Sequence, residues 1–496
     1  MRAPQVKRGG RDRRTGVAAR VFWLRLAGLA VLGALTGLAP GLDGQARADG
    51  ATPGSLGIML PVDKPREIVL ATTFGLIISD DGGSTWLWTC EQVPTSMAGA
   101  YAVGPPPTMA GSLGDRFYAL SPLPGVGLAF SDDGTCTWHS SGGALAGESV
   151  TLKDFFVAPT NPDRVLAIAA VTNDAGDVGP QSVYASSDGG TTFDPTPLFA
   201  APVGAALVGV EIARTDPNII YLAYYLTLTS GRDPVLVRSS DGGTTWTTVD
   251  VQAALGPNQV RIFAVDPADP DLVYLRVIAS GSESVAVTRD GGMTFAQPLT
   301  IPNGAATAFV RLASGTVLVG ARLNFAGDGG GASGAGYRST DGGKSFVPWT
   351  LSPQPHIVGL AERVSGTKSM LYLSGENYVD TWALAVSSDE GQTVTPVMSY
   401  DQVRGIKPCA QAICANSCLS VGGQGVWEND VCTGALLDAG TVAPPPPARP
   451  GCHCGAVGGE PAGILSILAV ALAFAVKLMR RPGPRPVRRG RGLTRG

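Results

Sequence analysis

Three carboxylates, Asp154, Glu211 and Glu362, fall in apolar alternating runs where an acid is unusual. Two carboxyl groups across a cleft, about 5 to 10 Å apart, are the minimum equipment for hydrolysing a glycosidic bond. With thirty-eight acids between the two basic ends of the chain, some pair can always be nominated, so nomination alone assigns nothing. The plainer reading of these three is solvation in an internal channel. His139, His356 and His453 are isolated, so Ser-His-Asp or Cys-His catalysis would rest on His356 alone. Cys409, Cys414, Cys418 and Cys432 lack a CxxC pair and a nearby histidine, which argues against zinc. No catalytic residue, metal site or cofactor is assigned.

The elements that must position these residues are announced by a repeat. The phrase Ser/Thr-x-Asp-x-Gly-x-Thr/Ser-aromatic begins at Ser79, Ser131, Ser186, Ser239, Thr288, Ser339 and Ser387, at steps of 48 to 55 residues. That period is one four-stranded propeller blade, a unit that cannot bury its own face and must stack on neighbours. A second phrase precedes several boxes: an apolar run, an Asx-Pro turn at Asn161-Pro162, Asp216-Pro217 or Asp269-Pro270, and another apolar run, which together read as a hairpin. A third strand ends at each box and a fourth begins at its aromatic. The expected fold is all-β: a seven-bladed β-propeller of four-stranded antiparallel blades. The segment Leu56 to Thr89 can supply a whole first blade, and the cysteine-rich segment after the last blade is expected to cap or latch the ring.

The box spacing suits a hairpin clip. Asp81, Asp133, Asp188, Asp241, Asp290, Asp341 and Asp389 can accept hydrogen bonds from N–H groups of their own turns. Gly83, Gly190, Gly243, Gly292, Gly343 and Gly391 supply positive φ. Trp86, Trp138, Phe193, Trp246, Phe295 and Phe346 are expected to fold beneath the turns. Thr135 replaces the glycine in the second copy, where Cys136 can compensate by cross-linking, and Val394 replaces the aromatic in the seventh. These residues stabilise and are the wrong place to seek catalysis.

From Leu56 to Tyr400 the chain resembles the Asp-box, or bacterial neuraminidase repeat, proteins, carried by seven copies in register. That resemblance implies the propeller, and leaves function open, because sialidases, sortilin-like receptors, xyloglucan-degrading glycosidases and a photosystem II assembly factor all carry such boxes. Sialidases resemble one another in an Arg-Ile-Pro-type motif, an arginine triad and a Tyr/Glu nucleophile pair. Here the first blade offers only Lys64-Pro65-Arg66-Glu67, and Arg261-Ile262-Phe263 stands elsewhere. The reading that results is a non-enzymatic module binding an unidentified protein or glycan, with Tyr224, Tyr225, Tyr378 and Trp382 as candidate recognition aromatics. The alternative is a glycoside hydrolase, sialidase-like or otherwise.

The two ends carry addressing signals. Residues 1–48 combine an arginine-rich start, an apolar run from Leu26 to Ala39 and Ala46-Arg47-Ala48, the pattern of a secretory signal peptide cleaved after Ala48. Arg13-Arg14 leaves a twin-arginine route open. After the propeller (49–402) and a Cys-rich cap (403–433), a Pro-rich linker (434–450) leads to Cys452 and Cys454, an apolar stretch from Pro461 to Val476 and a basic tail. This last segment, 451–496, resembles the MYXO-CTERM sorting signals, which implies a membrane helix, a sorting protease as partner and display at the cell surface; a plain membrane anchor is the alternative. Without its basic ends the chain has twenty basic and thirty-eight acidic residues. Such an acidic body repels nucleic acid, which is excluded as a partner. Cysteine use fits an oxidising compartment. Cys90 and Cys136, on neighbouring blades, are expected to pair, and Cys409, Cys414, Cys418 and Cys432 allow three pairings among themselves.

Overall fold

The computed structural model describes residues 53–433 except 92–99, 107–114, 122–126, 148, 173–178, 230, 325–332 and 429. The expected signal peptide, Pro-rich linker and sorting segment, with Cys452, Cys454 and His453, therefore lie outside the described residues. Among the described residues no helix is long and apolar enough to cross a membrane.

Seven antiparallel sheets in chain order form the blades of a propeller. Blade 3 is typical: Val150–Val157, Val165–Val171, Ser182–Ser186 and Phe199–Ala200 pair in that order. Its second strand, VLAIAAV, is buried along almost its whole length, as a strand covered on both faces must be. The first strand of each blade lies innermost, with Val150–Val157 against Ala205–Ile212 of blade 4 and that against Gln259–Val265 of blade 5. Between blades run separate apolar clusters, such as Tyr118, Leu128, Leu152 and Phe193 between blades 2 and 3. The core is thus a ring of inter-blade layers rather than one central mass.

Ring closure uses both ends of the described chain. Ser55–Met59, Ile68–Thr72, Gly75–Ser79 and Trp86–Thr89 make a complete blade 1, as the sequence suggests. A fifth strand, Val403–Ile406, then joins Trp86–Thr89 in parallel at the outer edge. A helix, Gln411–Gly423, follows and buries Cys414, Cys418 and Val421. Trp427 packs edge-on to Trp88 and Phe74 at 5.1 and 5.8 Å, seating this segment on blade 1.

The disulfides differ from the expected pairing. Cys90 bonds Cys414, Cys136 bonds Cys409, and Cys418 bonds Cys432. Cys90 and Cys136 do not meet, because the closing segment runs alongside blades 1 and 2 and offers each of them its own partner. Of the four cysteines in the closing segment, only Cys418 and Cys432 pair with each other.

Candidate functional site

Each box is a closed hydrogen-bonded turn. In blade 4 the Asp241 carboxylate accepts from Ser239 Oγ at 2.9 Å, Thr245 N–H at 2.8 Å and Thr245 Oγ at 2.6 Å, while Gly243 N–H donates to Ser239 Oγ at 2.8 Å. The same donors recur around Asp81, Asp133, Asp188, Asp290, Asp341 and Asp389. Hydrogen bonds to the ionised form hold all seven carboxyls below the usual aspartate range, Asp241 down to about 2.

The boxes also join blades, which sequence reading does not reveal. Gly343 has φ +81°, and a Cβ there would stand 2.7 Å from the Tyr274 ring of the preceding blade. Arg116 Nη1 donates to the Gly189 carbonyl at 2.8 Å, Arg164 Nη2 to Gly242 at 3.0 Å and Arg289 Nη2 to Gly342 at 2.6 Å, each reaching from one blade into the next box. At box two the reaching cation is Lys407 of the closing segment, 2.6 Å from the Gly134 carbonyl. Thr135, in the glycine position, takes φ +75°, strain that the adjacent Cys136–Cys409 bridge holds in place. In box seven Trp349, from blade 6, supplies the ring that Val394 does not: its Nε1 donates to the Gly391 carbonyl at 2.7 Å and Val394 packs on its cluster.

The inner wall of blades 3 to 5 has a different chemistry. A cavity of about 620 Å³ there is lined by Lys153, Asp154, Glu211, Tyr225, Arg261 and Arg276, among others. β-Bulges leave Lys153, Val208 and Phe263 unpaired in the three inner strands. A bulge breaks the two-residue alternation, so Lys153 and its neighbour Asp154 both reach the cavity.

The acids of this wall bridge blades. Asp154 accepts from Phe155 N–H at 2.9 Å and from the Val210 N–H of blade 4. Glu211 accepts from Val265 N–H of blade 5 at 3.1 Å. Burial raises both: Asp154 to about 6, against the pull of its amide donors and Arg261, and Glu211 to about 8, with the Asp154 charge adding to the rise. Arg276 is engaged by Glu283 at 2.7 and 2.8 Å, whereas Lys153 and Arg261 are exposed at the cavity.

Of the residues singled out in the sequence, Asp154 and Glu211 come together and Glu362 does not. Glu362 accepts from Ala313 N–H at 2.7 Å and from Ser369 Oγ. His356 is paired with Asp380, and His139 is exposed on blade 2. Among the candidate aromatics, Tyr225 lines the cavity and Tyr378 is exposed, while Tyr224 and Trp382 are buried in strand packing. Lys153 and Arg276 were not singled out in the sequence, and Arg261 appeared there only in a motif that did not match; the bulge at Lys153 hides the face it occupies.

No protein-family profile matches the chain, and no curated protein matches it. Solved structures do. An ancestral GH74 enzyme is 16% identical over 70% of this chain and 46% of its own, with a TM-score of 0.48. YCF48 bound to D1 peptide is 14% identical, covering 51% of this chain and 68% of that one at a TM-score of 0.34. A mutant Trypanosoma rangeli sialidase displaying trans-sialidase activity is 14% identical over 53% and 49%, at 0.33. The chain thus spans about half the length of the GH74 enzyme. At these identities the likeness concerns architecture alone.

Proposed function

We propose that this chain is an exported Asp-box propeller, displayed at the cell surface, that binds a protein or glycan ligand at its inner wall without turning it over. The observation that carries this reading is the use made of the channel acids. Asp154 and Glu211 each hold a backbone N–H of the next blade, so they act first as inter-blade staples. What they leave to a ligand is a cavity with exposed Lys153 and Arg261 and the Tyr225 ring, a surface of polar anchors suited to recognition. Three disulfides support an oxidising compartment. The N-terminal apolar run and the C-terminal cysteine, apolar and arginine segments support export, sorting by a membrane protease and display. Mass spectrometry of the mature surface protein is expected to find a chain that starts at Asp49 and lacks the arginine tail. A full-length C terminus would refute the sorting step.

A second reading, glycoside hydrolysis, is favoured by one specific observation. Asp154 and Glu211 share a cavity and are pushed to about 6 and about 8, so that near neutral pH one is mostly ionised while the other keeps its proton. Incubation with chromogenic sialosides and β-glucans separates the two readings. Saturable binding without product release is the expected result; release of chromophore that Asp154→Asn or Glu211→Gln abolishes would replace binding with catalysis.

A further inference from the structure

The channel-wall cavity selects the chemistry of its ligand through the groups already used there and the groups left over. Arg261 lines it and is exposed, yet its guanidinium is fixed from behind. Gln259, two residues earlier on the same inner strand, is only 8% exposed. With its amide oxygen turned to the guanidinium, Gln259 accepts from Arg261 Nε at 2.8 Å and from Nη2 at 3.1 Å. One edge of the planar group is thereby used. The other edge, Nη1 with the second hydrogen of Nη2, meets no acceptor among the described residues. Two parallel N–H groups held in this way match the two oxygens of a carboxylate.

The charge balance of the wall asks for the same group. Arg276 is neutralised by Glu283, whereas Lys153 and Arg261 form no ion pair among the described residues. Burial pushes Glu211 up to about 8, so near neutral pH it adds little charge. Two cations therefore face the single charge of Asp154, which the amides of Phe155 and Val210 already stabilise. The wall keeps a surplus of one positive charge inside a body whose acids outnumber its bases. A neutral ligand would leave that charge uncompensated, and a carboxylate meets it. What carries the carboxylate follows from the strand edges. An extended peptide would add to an inner strand through its edge N–H groups. Here the Leu207 N–H is taken by Gln181 Oε1 at 2.7 Å, that of Val210 by Asp154 and that of Val265 by Glu211 at 3.1 Å. With those donors capped, the Tyr225 ring and the carboxyl of Glu211 remain, an apolar face and a polar partner suited to a sugar ring and its hydroxyls.

We propose that the channel wall of blades 3 to 5 recognises an acidic saccharide, with the free edge of the Arg261 guanidinium gripping a sugar carboxylate, Lys153 supplying the second positive charge, and buried Gln259 positioning Arg261. This rests on the binding reading above and narrows its ligand to a uronate-type glycan. Calorimetry on the full chain tests it, with trigalacturonate, trimannuronate and a hyaluronan tetrasaccharide as acidic probes, their methyl esters as neutral counterparts and triglutamate as the peptide probe. At least one uronate is expected to bind saturably and to be recovered intact, with its methyl ester weaker by about tenfold or more. Arg261→Ala and Arg261→Lys, at an exposed position, are each expected to weaken the uronate by a similar factor with the melting temperature unchanged, and Lys153→Ala by less. Gln259→Leu is expected to weaken the uronate while leaving the ester unchanged; should it unfold the protein, the two Arg261 variants decide. Binding of none of the uronates, or indifference to both Arg261 variants, overturns the inference. Equal affinity for acid and ester, or preference for triglutamate, also overturns it while leaving the channel a binding site. Cleavage of a bound uronate would instead refute binding without turnover and leave the carboxylate grip standing.

Discussion

Carboxylates at the blade rim and carboxylates on the channel wall are the same chemical group put to opposite use. At the rim, seven aspartates are wrapped in hydroxyl and amide donors of their own turns, which keeps them ionised even in acid. On the wall of blades 3 to 5, Asp154 and Glu211 have one or two amide donors each, and burial lifts both well above the ordinary range. The rim repeats because its task is identical in every blade: close a turn and lock it to the neighbour. The wall does not repeat: its acids, cations and Tyr225 differ from blade to blade.

Breaking the rim at its most strained box gives the largest expected effect. Cys136→Ser removes the link from box two to the closing segment, across 273 residues of sequence. Loss of such a bridge is expected to lower stability by about 2–5 kcal/mol in urea unfolding, with Cys90→Ser similar. Glycines give a sharper contrast at lower cost. Gly343→Ala at the rim meets both a positive φ and the Tyr274 ring and should destabilise by about 1–3 kcal/mol, whereas Gly209→Ala on the wall, whose nearest contact is 3.7 Å away, should stay within about 0.5 kcal/mol.

Smaller still, and opposite in sign, are the effects of pH. The box aspartates have depressed pKa values, so their stabilisation is present above the unfolded value of 3.8 and fades as pH falls toward about 2 for Asp290. Asp154 and Glu211 have raised ones. Between about pH 4 and 8 the native state keeps protons that the unfolded chain has released, so this pair lowers stability as pH rises through that window. Melting curves against pH are expected to show Glu211→Gln flattening the decline from about pH 4.5 to 8, and Asp290→Asn flattening the acid limb below about pH 4.

The rim was legible in the sequence because everything it needs is local: an acid, its donors and a glycine lie within eight residues, and their recurrence counts the blades. Closure was less legible. Val403–Ile406 is four residues long and gains its strand character from Trp86–Thr89, more than 300 residues earlier, so no local pattern announces the pairing. Separations of 324 and 273 residues likewise concealed the true partners of Cys90 and Cys136. On the channel wall Asp154 and Glu211 stood out as acids in apolar strands, but the bulges at Lys153, Val208 and Phe263 shift the inward face, so nothing in the sequence marked Lys153, and Arg261 drew notice only within a motif that did not match. Glu67 came into view only as part of a motif that failed to match; its burial is a property of the assembled ring.

The contrast between rim and wall is tested most directly by a carbon-13 carboxyl NMR titration of the full chain, with resonances assigned through Asp154→Asn, Glu211→Gln and Asp290→Asn. The two wall residues are expected to titrate near 6 and near 8 while Asp290 remains ionised down to about 2. Titration of Asp154 and Glu211 alongside solvated carboxylates, at about 4, would contradict the account and return the channel wall to the status of ordinary surface.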